Sequence, residues 1–312
     1  MKKLLHIFIL LLYTAGKAGA QDYFCVMTYN VENLFDTIHD AGKRDTEFLP
    51  DGERKWNRWR MWKKLKDISK VIAAADTVNP CGLVGLCEVE NDTVMTYLTQ
   101  RTPMRTLGYR YVMTDSRDER GIDVALLYYP RRFRLLHHQS IRARTETATR
   151  DVLYVCGTMP GGDTLDVYMV HLPSKLGKAA AERNRRQITQ DLLAHADSVG
   201  NARTDMTILI MGDFNDELKG GQMKPYSEKG FTDLTKGLAP GTYKFQGEWG
   251  FLDHILIKTT RQKKTDCEVV GRSFMLEREK NGGGKRPRRT YLGPHYHGGI
   301  SDHLPVMVRI EQ

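Results

Sequence analysis

Eight short apolar runs, spaced along the whole chain and bounded by polar or turn-forming residues, set the strongest limit on what this sequence can become. They lie at 24–29, 83–87, 122–129, 152–158, 165–170, 207–211, 252–257 and 305–310. Each is short for a buried helix and rich in Val, Ile, Tyr or Cys, so the runs read as buried strands. Between them, Arg58–Ala75, Asp92–Arg101 and residues 179–198 carry helical patterning. Strands and helices mixed in this way predict an α/β protein with helices covering sheets. No repeat and no Pro/Ser-rich linker divides the chain, and residues 21–312 are expected to form one domain.

The first twenty residues stand apart from this pattern. Lys2 and Lys3 precede the apolar run 4–13, and Ala18-Gly19-Ala20 offers small residues for cleavage. The run is about ten residues, against the roughly 20 that cross a bilayer. Residues 1–20 are therefore expected to be an export signal, and the mature protein to be periplasmic or extracellular, without stable membrane insertion. Tyr23 and Phe24 are too bulky to precede a lipid-attachment cysteine. Loss of Lys2, Lys3 and Lys17 lowers the net charge from +9 to +6. That excess suits anionic substrates without requiring them. It concentrates at 55–66 and at 278–289, and the second stretch contains Asn281-Gly282-Gly283-Gly284, which argues against a regular helix or strand there. Of the five cysteines, Cys25, Cys87 and Cys156 sit in apolar runs and read as buried thiols; a Cys81–Cys87 bond is the alternative for that pair.

The polar residues that border the strand runs carry the chemistry. Asn30, Glu88, His171, Asp213 and Asn215 each follow a run, whereas Asp253 and the pair Asp302-His303 precede one. If neighbouring strands run antiparallel, the ends that leave and the ends that enter meet at one sheet edge, which becomes the candidate site. Carboxylates with an amide carbonyl are hard oxygen donors that suit Mg²⁺ or Mn²⁺. No Cys/His cluster has the tetrahedral spacing that zinc prefers. Cleaving a phosphodiester requires neutralised negative charge, an aligned water and a proton or cation for the leaving oxygen, and this set of residues can supply all three.

Thr28-Tyr29-Asn30-Val31-Glu32-Asn33-Leu34-Phe35, Leu86-Cys87-Glu88-Val89, Val170-His171-Leu172-Pro173-Ser174, Gly212-Asp213-Phe214-Asn215, Leu252-Asp253-His254 and Ser301-Asp302-His303 together resemble the ordered motifs of the endonuclease/exonuclease/phosphatase family. The resemblance implies a four-layer α/β sandwich: two mixed β-sheets face to face, covered by helices, with the site at one edge. It also implies Asn30 and Glu88 on the metal side, with Glu88 the principal ligand and Asp302 a further carboxylate near the metal or the water. Asp213 would orient or deprotonate the water, and Asn215 would bond the phosphate or steady Asp213. His303 would contact the phosphoryl oxygen with Asp253 behind it, and His171 would serve the leaving group.

Several residues carry two readings. Glu32 is either a second metal carboxylate or a surface residue, and Arg120 either reaches a phosphate or is solvated. Trp56, Trp59 and Trp62 among lysines and arginines suggest base stacking. The stripe Trp62, Leu65, Ile68, Ile72 reads more simply as a core face with lysines outside. His137, His138 and His254 have no evident partner, while His295 and His297 flank Tyr296 near Asp302. The cations Arg278, Lys280, Lys285, Arg286, Arg288 and Arg289 precede Asp302 and are expected to contact substrate; they favour a nuclease acting on DNA or RNA. A phosphodiesterase or phosphatase for lipid headgroups, inositol phosphates or nucleotides is the alternative, although no apolar hairpin suited to a lipid surface is evident. A catalytically dead binding module would have lost Asp213, His303 or Glu88, and all three are present.

Overall fold

In the computed structural model, which describes residues 23–175, 178–279 and 283–312, all eight apolar runs lie in strands. The proposed export segment and Lys280 lie outside the described residues. In chain order the elements are β1 (Tyr23–Leu34), α1 (Arg58–Ala75), β2 (Leu83–Val89), α2 (Asp92–Arg101), β3 (Arg110–Met113), β4 (Asp123–Tyr128), β5 (Arg134–Ile141), β6 (Val152–Thr158), β7 (Thr164–His171), α3 (Lys178–Asn201), β8 (Thr207–Asp213) and α4 (Lys224–Glu228). There follow β9 (Thr232–Asp233), β10 (Tyr243–Phe245), β11 (Glu248–Gly250), β12 (Asp253–Thr259), β13 (Thr265–Val269), β14 (Leu276–Arg278), β15 (Lys285–Pro287), β16 (Tyr291–Leu292), β17 (His295–Tyr296) and β18 (Val306–Glu311). Helices α1 and α2 begin where they do because Asn57 and Asn91 cap them, each side chain accepting a backbone N–H three residues on.

The strands form two six-stranded sheets, ordered β13-β18-β1-β2-β4-β3 and β5-β6-β7-β8-β12-β9. Each contains a parallel pair, β1 with β2 and β7 with β8. Parallel neighbours need a crossover, and α1 and α3 lie on those two connections. The remaining partners of these pairs, β18 beside β1 and β12 beside β8, are antiparallel. Four strands therefore end at the edge where two others begin.

Residue alternation explains the layering. Along β1, Phe24 and Val26 face the second sheet, while Cys25, Met27 and Tyr29 face the α1 and α2 side. Leu65, Ile68 and Ile72 of α1 and Val94 and Leu98 of α2 complete that outer cluster, and Ile188, Leu192 and Leu193 of α3 cover the second sheet. Each such side chain removed from water stabilises the fold by about 1.5–3 kcal/mol, so these short stripes suffice to hold the helices down. Gly85 marks the close approach of the sheets: a Cβ there would lie 2.1 Å from the Met169 sulfur on β7. The four-layer sandwich expected from the sequence is the observed architecture.

Four expectations need correction. Lys64 is 2% exposed and points inward; its Nζ donates to Thr290 Oγ1 at 2.5 Å and to the Ile300 carbonyl at 2.8 Å. The three tryptophans form no common stacking array. Trp56 precedes α1, is fully buried and donates to the Phe35 carbonyl, whereas Trp59 is exposed. The glycine-containing basic stretch is flanked by a two-stranded ladder, β14 with β15, rather than being wholly irregular. Within it Arg286 pairs with Glu277 at 2.8 Å, and the buried Lys244 ammonium reaches Glu279 at 2.7 Å. Finally, Cys25 is not a thiol but is bonded to Cys81. Cys25 faces the helix side of β1, next to Cys81, whereas Cys87 faces the other sheet and cannot meet it. Cys87 and Cys156 are buried free thiols, as expected.

The disulfide closes a loop of 56 residues. Loop-closure entropy places its contribution at about 4 kcal/mol. Cys81→Ala should accordingly lower the midpoint of urea unfolding, and reductant should lower the wild-type midpoint to match. A wild-type midpoint indifferent to reductant would mean that the bond does not form or contributes nothing.

Candidate active site

The parallel pairs bring Asn30, Glu88, His171 and Asp213 to one edge, and the antiparallel strands β12 and β18 bring Asp253 and His303 to it. In the ladder His171 lies opposite Asp213, and Asp253 opposite Asp213 on the other side. Local backbone then aims the side chains. Register shifts interrupt β1 between Asn30 and Leu34 and β2 between Cys87 and Val89. Glu32, Asn33, Glu88 and Asn215 adopt φ of +53°, +57°, +65° and +50°. Left-handed backbone at non-glycine residues costs about 1–3 kcal/mol each, and here it gathers at one place. Gly212 must be glycine: at φ +141° a Cβ would lie 1.9 Å from the Val170 carbonyl oxygen and force β7 and β8 apart.

Asn30 is the hub. Its amide nitrogen donates to Asp213 Oδ2 at 2.9 Å and to Glu88 Oε1 at 3.3 Å, while its oxygen accepts from Glu32 N–H at 2.9 Å. In this arrangement Asn30 offers donors rather than an oxygen to the carboxylates. Glu88 Oε2 also accepts from Asn33 N–H at 2.8 Å. Asp213 Oδ1 accepts from Asn215 N–H at 2.8 Å, and the Asn215 side chain donates to the Leu172 carbonyl at 2.9 Å. Of its two expected roles, Asn215 therefore performs the steadying one through its backbone, and its amide pins the turn after His171.

The two histidines are held in opposite states. His303 Nδ1 donates to Asp253 Oδ2 at 2.7 Å, and its Nε2 lies 4.0 Å from Asp213 and from Asp302. Burial disfavours the imidazolium, but Asp253, Asp213 and Asp302 outweigh burial and hold the group well above its ordinary range. His171 Nε2 lies 3.7 Å from Asp213 and 3.9 Å from Glu88. Its burial and the positive charges of Arg150, Arg120 and His303 hold it well below that range, and thus neutral. Asp213 is pushed up to about 7, by burial first and by the Asp253 charge next, with His303 opposing. Titratable groups driven apart in this way mark acid and base roles.

The carboxylates fit a hard divalent cation. Asp213, Asp253 and His303 present ligand atoms within 4.8 Å of one another. There the His303 Nδ1 is committed to Asp253, which reads as a positioned imidazole. On the other side, Glu32, Glu88 and Asp302 all lie within electrostatic reach of Lys64. The Glu32 carboxyl is pushed up to about 7, by burial first and then by the Asp302 charge, with the Lys64 ammonium opposing. Glu32 is neither a surface residue nor free to turn outward, since it accepts from Thr290 N–H at 2.6 Å and Tyr291 N–H at 3.4 Å. Glu88 and Asp302, both partly exposed, are the oxygens most available to a metal.

Of the expected substrate contacts, Arg289 borders the site, 3.5 Å from Asp302 and stacked 5.6 Å from the Tyr243 ring. Arg120 bonds Asn33 Oδ1, beside Glu88. Arg288 and Lys285 are exposed, and Arg286 is occupied by Glu277. His254 turns away from the site to Thr235 and the Asp216 carbonyl, and His297 pairs with Glu277.

The chain matches the model of the endonuclease/exonuclease/phosphatase family over residues 25–312. It belongs to that family. The family's enzymes are divalent-metal-dependent hydrolases of phosphoesters. No curated protein matches the sequence. Among solved structures it is similar to a mannosyl-6-phosphatase of Bacteroides thetaiotaomicron, with TM-score 0.61, 17% identity, and coverage of 92% of this chain and 99% of that one. It is also similar to D. rerio TDP2 complexed with a single-strand DNA product, with TM-score 0.60, 15% identity and coverage of 93% and 100%. The catalytic domain of human Nocturnin gives TM-score 0.57, 17% identity and coverage of 92% and 94%. At these identities the likeness is one of fold.

Sequence reasoning missed Arg150, Ser301 and Lys64. Arg150 is nearly buried and donates to the His171 and Leu172 carbonyls at 3.2 and 3.1 Å and to Asp118 at 2.9 Å, clamping the His171 turn. Ser301 donates to the Asn30 carbonyl at 2.7 Å and accepts from His303 N–H at 3.0 Å. Ser301 stood inside the Ser301-Asp302-His303 motif without a role of its own, Lys64 left a charge at an inward position of the α1 stripe, and Arg150 left no signal. Shape-preserving changes separate these roles: Asp213→Asn and His303→Asn should lower turnover roughly 10²–10⁴-fold while circular dichroism stays native. His171→Asn should cost less. Near-normal turnover in His303→Asn would remove the Asp253–His303 pair from the mechanism.

Proposed function

We propose that this protein is an exported, divalent-metal-dependent phosphodiesterase that cleaves DNA or RNA strands. The observation that carries the reading is the charged His303, backed by buried Asp253 and facing Asp213, with Glu88 and Asp302 beside it. Asp213 accepts a hydrogen bond from the attacking water and takes its proton, while Asn30 and Asn215 keep its two oxygens oriented. His303 presents a charged Nε2–H to the phosphoryl oxygen as negative charge grows in the transition state. Neutral His171 donates a hydrogen bond toward the leaving oxygen from the other side of Asp213. When bound at Glu88 and Asp302, Mg²⁺ or Mn²⁺ supplies the remaining neutralisation of phosphate charge.

A polynucleotide is favoured over a small ester by the cations at the margins of the site: Arg120 by Glu88, Arg289 by Asp302, and Arg288 exposed next to it. The similar folds include both TDP2 with a single-strand DNA product and a mannosyl-6-phosphatase, so the choice rests on these cations. Export is supported by the Cys25–Cys81 bond, which persists in oxidising compartments. No helix among the described residues is long and apolar enough to cross a membrane. A second reading, hydrolysis of a small sugar or nucleotide phosphoester, is favoured by a cavity of about 640 Å³ lined by Leu172, Lys175, Arg185, Phe214, Asp216 and Tyr226, immediately beyond Asn215.

The test is mature protein with Mg²⁺ or Mn²⁺ against duplex DNA, single-stranded DNA, RNA, sphingomyelin, an inositol phosphate, a sugar phosphate and a chromogenic phosphodiester, with Asp213→Asn as the blank. Chelator should abolish activity and added metal should restore it. Cleavage of DNA or RNA above the blank is expected; turnover confined to the sugar or inositol phosphate would replace the nuclease reading with the second one. Full turnover in excess chelator would overturn the metal dependence.

A further inference from the structure

Outside the site, the first turn of α1 and the β16–β17 hairpin form a surface that the proposed chemistry does not use. Trp59 is 66% exposed, and its ring meets Tyr296 at 6.2 Å and 70°. The Arg60 guanidinium lies 4.2 Å from the centre of the same tyrosine ring. Among the described residues exposed large apolar side chains are few, and Ile38, Val78, Leu136 and Phe245 show no ring or cation contact of this kind. Arg58 beside Trp59 and Arg288 near Tyr296 are exposed, and no carboxylate among the described residues pairs with either. The carboxylate that acts on Tyr296, Asp67, is taken by Lys63 at 2.5 Å.

This surface connects to the catalytic edge through backbone bonds. Ile300 N–H donates to the Arg288 carbonyl at 2.7 Å and Gly299 N–H to that of Arg289 at 3.2 Å. That ladder sets Arg288 and Arg289 alongside the residues leading into Ser301 and Asp302, and Arg289 reaches the Asp302 carboxylate at 3.5 Å. Aromatic rings and unpaired guanidinium groups thus lead outward from the metal-side carboxylate. Gly299 has to be glycine for this approach, since a Cβ would sit 2.0 Å from the Arg288 carbonyl oxygen.

We propose that Trp59 and Tyr296, with Arg58 and Arg288, form a platform that holds an unpaired nucleic-acid strand as it runs away from the scissile phosphate. This rests on the nuclease reading and specifies it further. A flat indole with open faces accepts a base of any sequence, and guanidinium groups at its edges meet the phosphates on either side. In a duplex the base faces are already stacked on one another, so the platform selects a single strand or a frayed end. A neutral sugar would also stack on Trp59 but would leave Arg58 and Arg288 without a role.

The experiment measures fluorescence anisotropy of labelled oligothymidylate with the full mature chain in chelator, across a salt series. In parallel, cleavage of unlabelled single-stranded DNA and of bis(p-nitrophenyl) phosphate is followed with Mg²⁺. Trp59→Ala should weaken binding roughly ten- to hundredfold, and Trp59→Phe should keep most of it. Arg58→Gln with Arg288→Gln should flatten the logarithmic salt slope by about 0.7 per residue replaced. Hydrolysis of bis(p-nitrophenyl) phosphate should stay at the wild-type rate in Trp59→Ala and Trp59→Phe, and native circular dichroism should report that every variant folds. If wild type binds and cleaves the strand while Trp59→Ala and the double variant bind equally well, the platform is refuted and the nuclease reading stands. If wild type hydrolyses bis(p-nitrophenyl) phosphate but neither binds nor cleaves the strand, both fall. Binding that is indifferent to salt and displaced by a neutral glycan would identify a carbohydrate surface and overturn the proposal.

Discussion

The bond from the Asn30 amide to Asp213 joins residues 183 apart in sequence and ties the end of β1 in one sheet to the end of β8 in the other. The same amide nitrogen also reaches Glu88 on β2, so a single side chain sets the spacing between the metal-side carboxylate and the carboxylate that handles water. The amide cannot turn over without opposing its NH₂ to the Glu32 N–H, which its oxygen now accepts. Two sheets packed through Phe24, Val26, Met169 and Met211 are free to slide by small amounts; a short bond between buried groups at their edge removes that freedom where it would disturb the chemistry.

Around this hub the protein concentrates unfavourable features. Four non-glycine residues hold left-handed backbone, several carboxyl groups crowd a largely buried edge, and a lysine is buried beneath them. Each is costly in isolation. They coexist because each offsets another: Lys64 lies beside Glu32, Glu32 terminates the backbone N–H groups of Thr290 and Tyr291, and that turn carries Arg289 to Asp302. Arg150 does the corresponding work on the opposite side, satisfying the carbonyls of the His171 turn. Removing Lys64 or Arg150 would take one donor from each buried oxygen that it serves, although neither touches the reacting atoms.

Eight of the twelve strands in the two large sheets and the three long helices were legible in the sequence because their signals are local, whereas β3, β5, β9 and β13 carry no comparable apolar run. An apolar run of strand length, or a stripe that starts after an asparagine cap, depends on nearby residues alone. The site edge was also legible, since polar residues that follow some runs and precede others must converge if the strands alternate in direction. Pairings across the fold were not. Cys25 meets Cys81 rather than Cys87 meeting it because β1 turns Cys25 toward the helices while β2 turns Cys87 toward the other sheet, and that depends on register. Lys64 could be noticed only as a charge at a position that ought to be apolar. The ladder β14–β15 was hidden because its strands are three residues each, shorter than any periodicity can reveal.

The opposite states of His171 and His303 show how little separates two roles on one edge. Both imidazoles are buried and both lie within about 4 Å of Asp213. What differs is the second neighbour. His303 has the carboxylate of Asp253 behind its Nδ1, so negative charge surrounds it and the proton stays. Behind His171 are Arg150 and Arg120, and its own Nδ1 has no partner among the described residues, so burial decides and the proton leaves. One ring is thus prepared to meet growing negative charge, and the other to donate a single hydrogen bond without carrying charge. Arg150 holds the His171 turn and also disfavours a charge on that ring, so the guanidinium that fixes its position adds to the effect of burial. A clamp made of neutral donors would fix the turn equally well, but it would leave burial, Arg120 and His303 alone to hold His171 neutral.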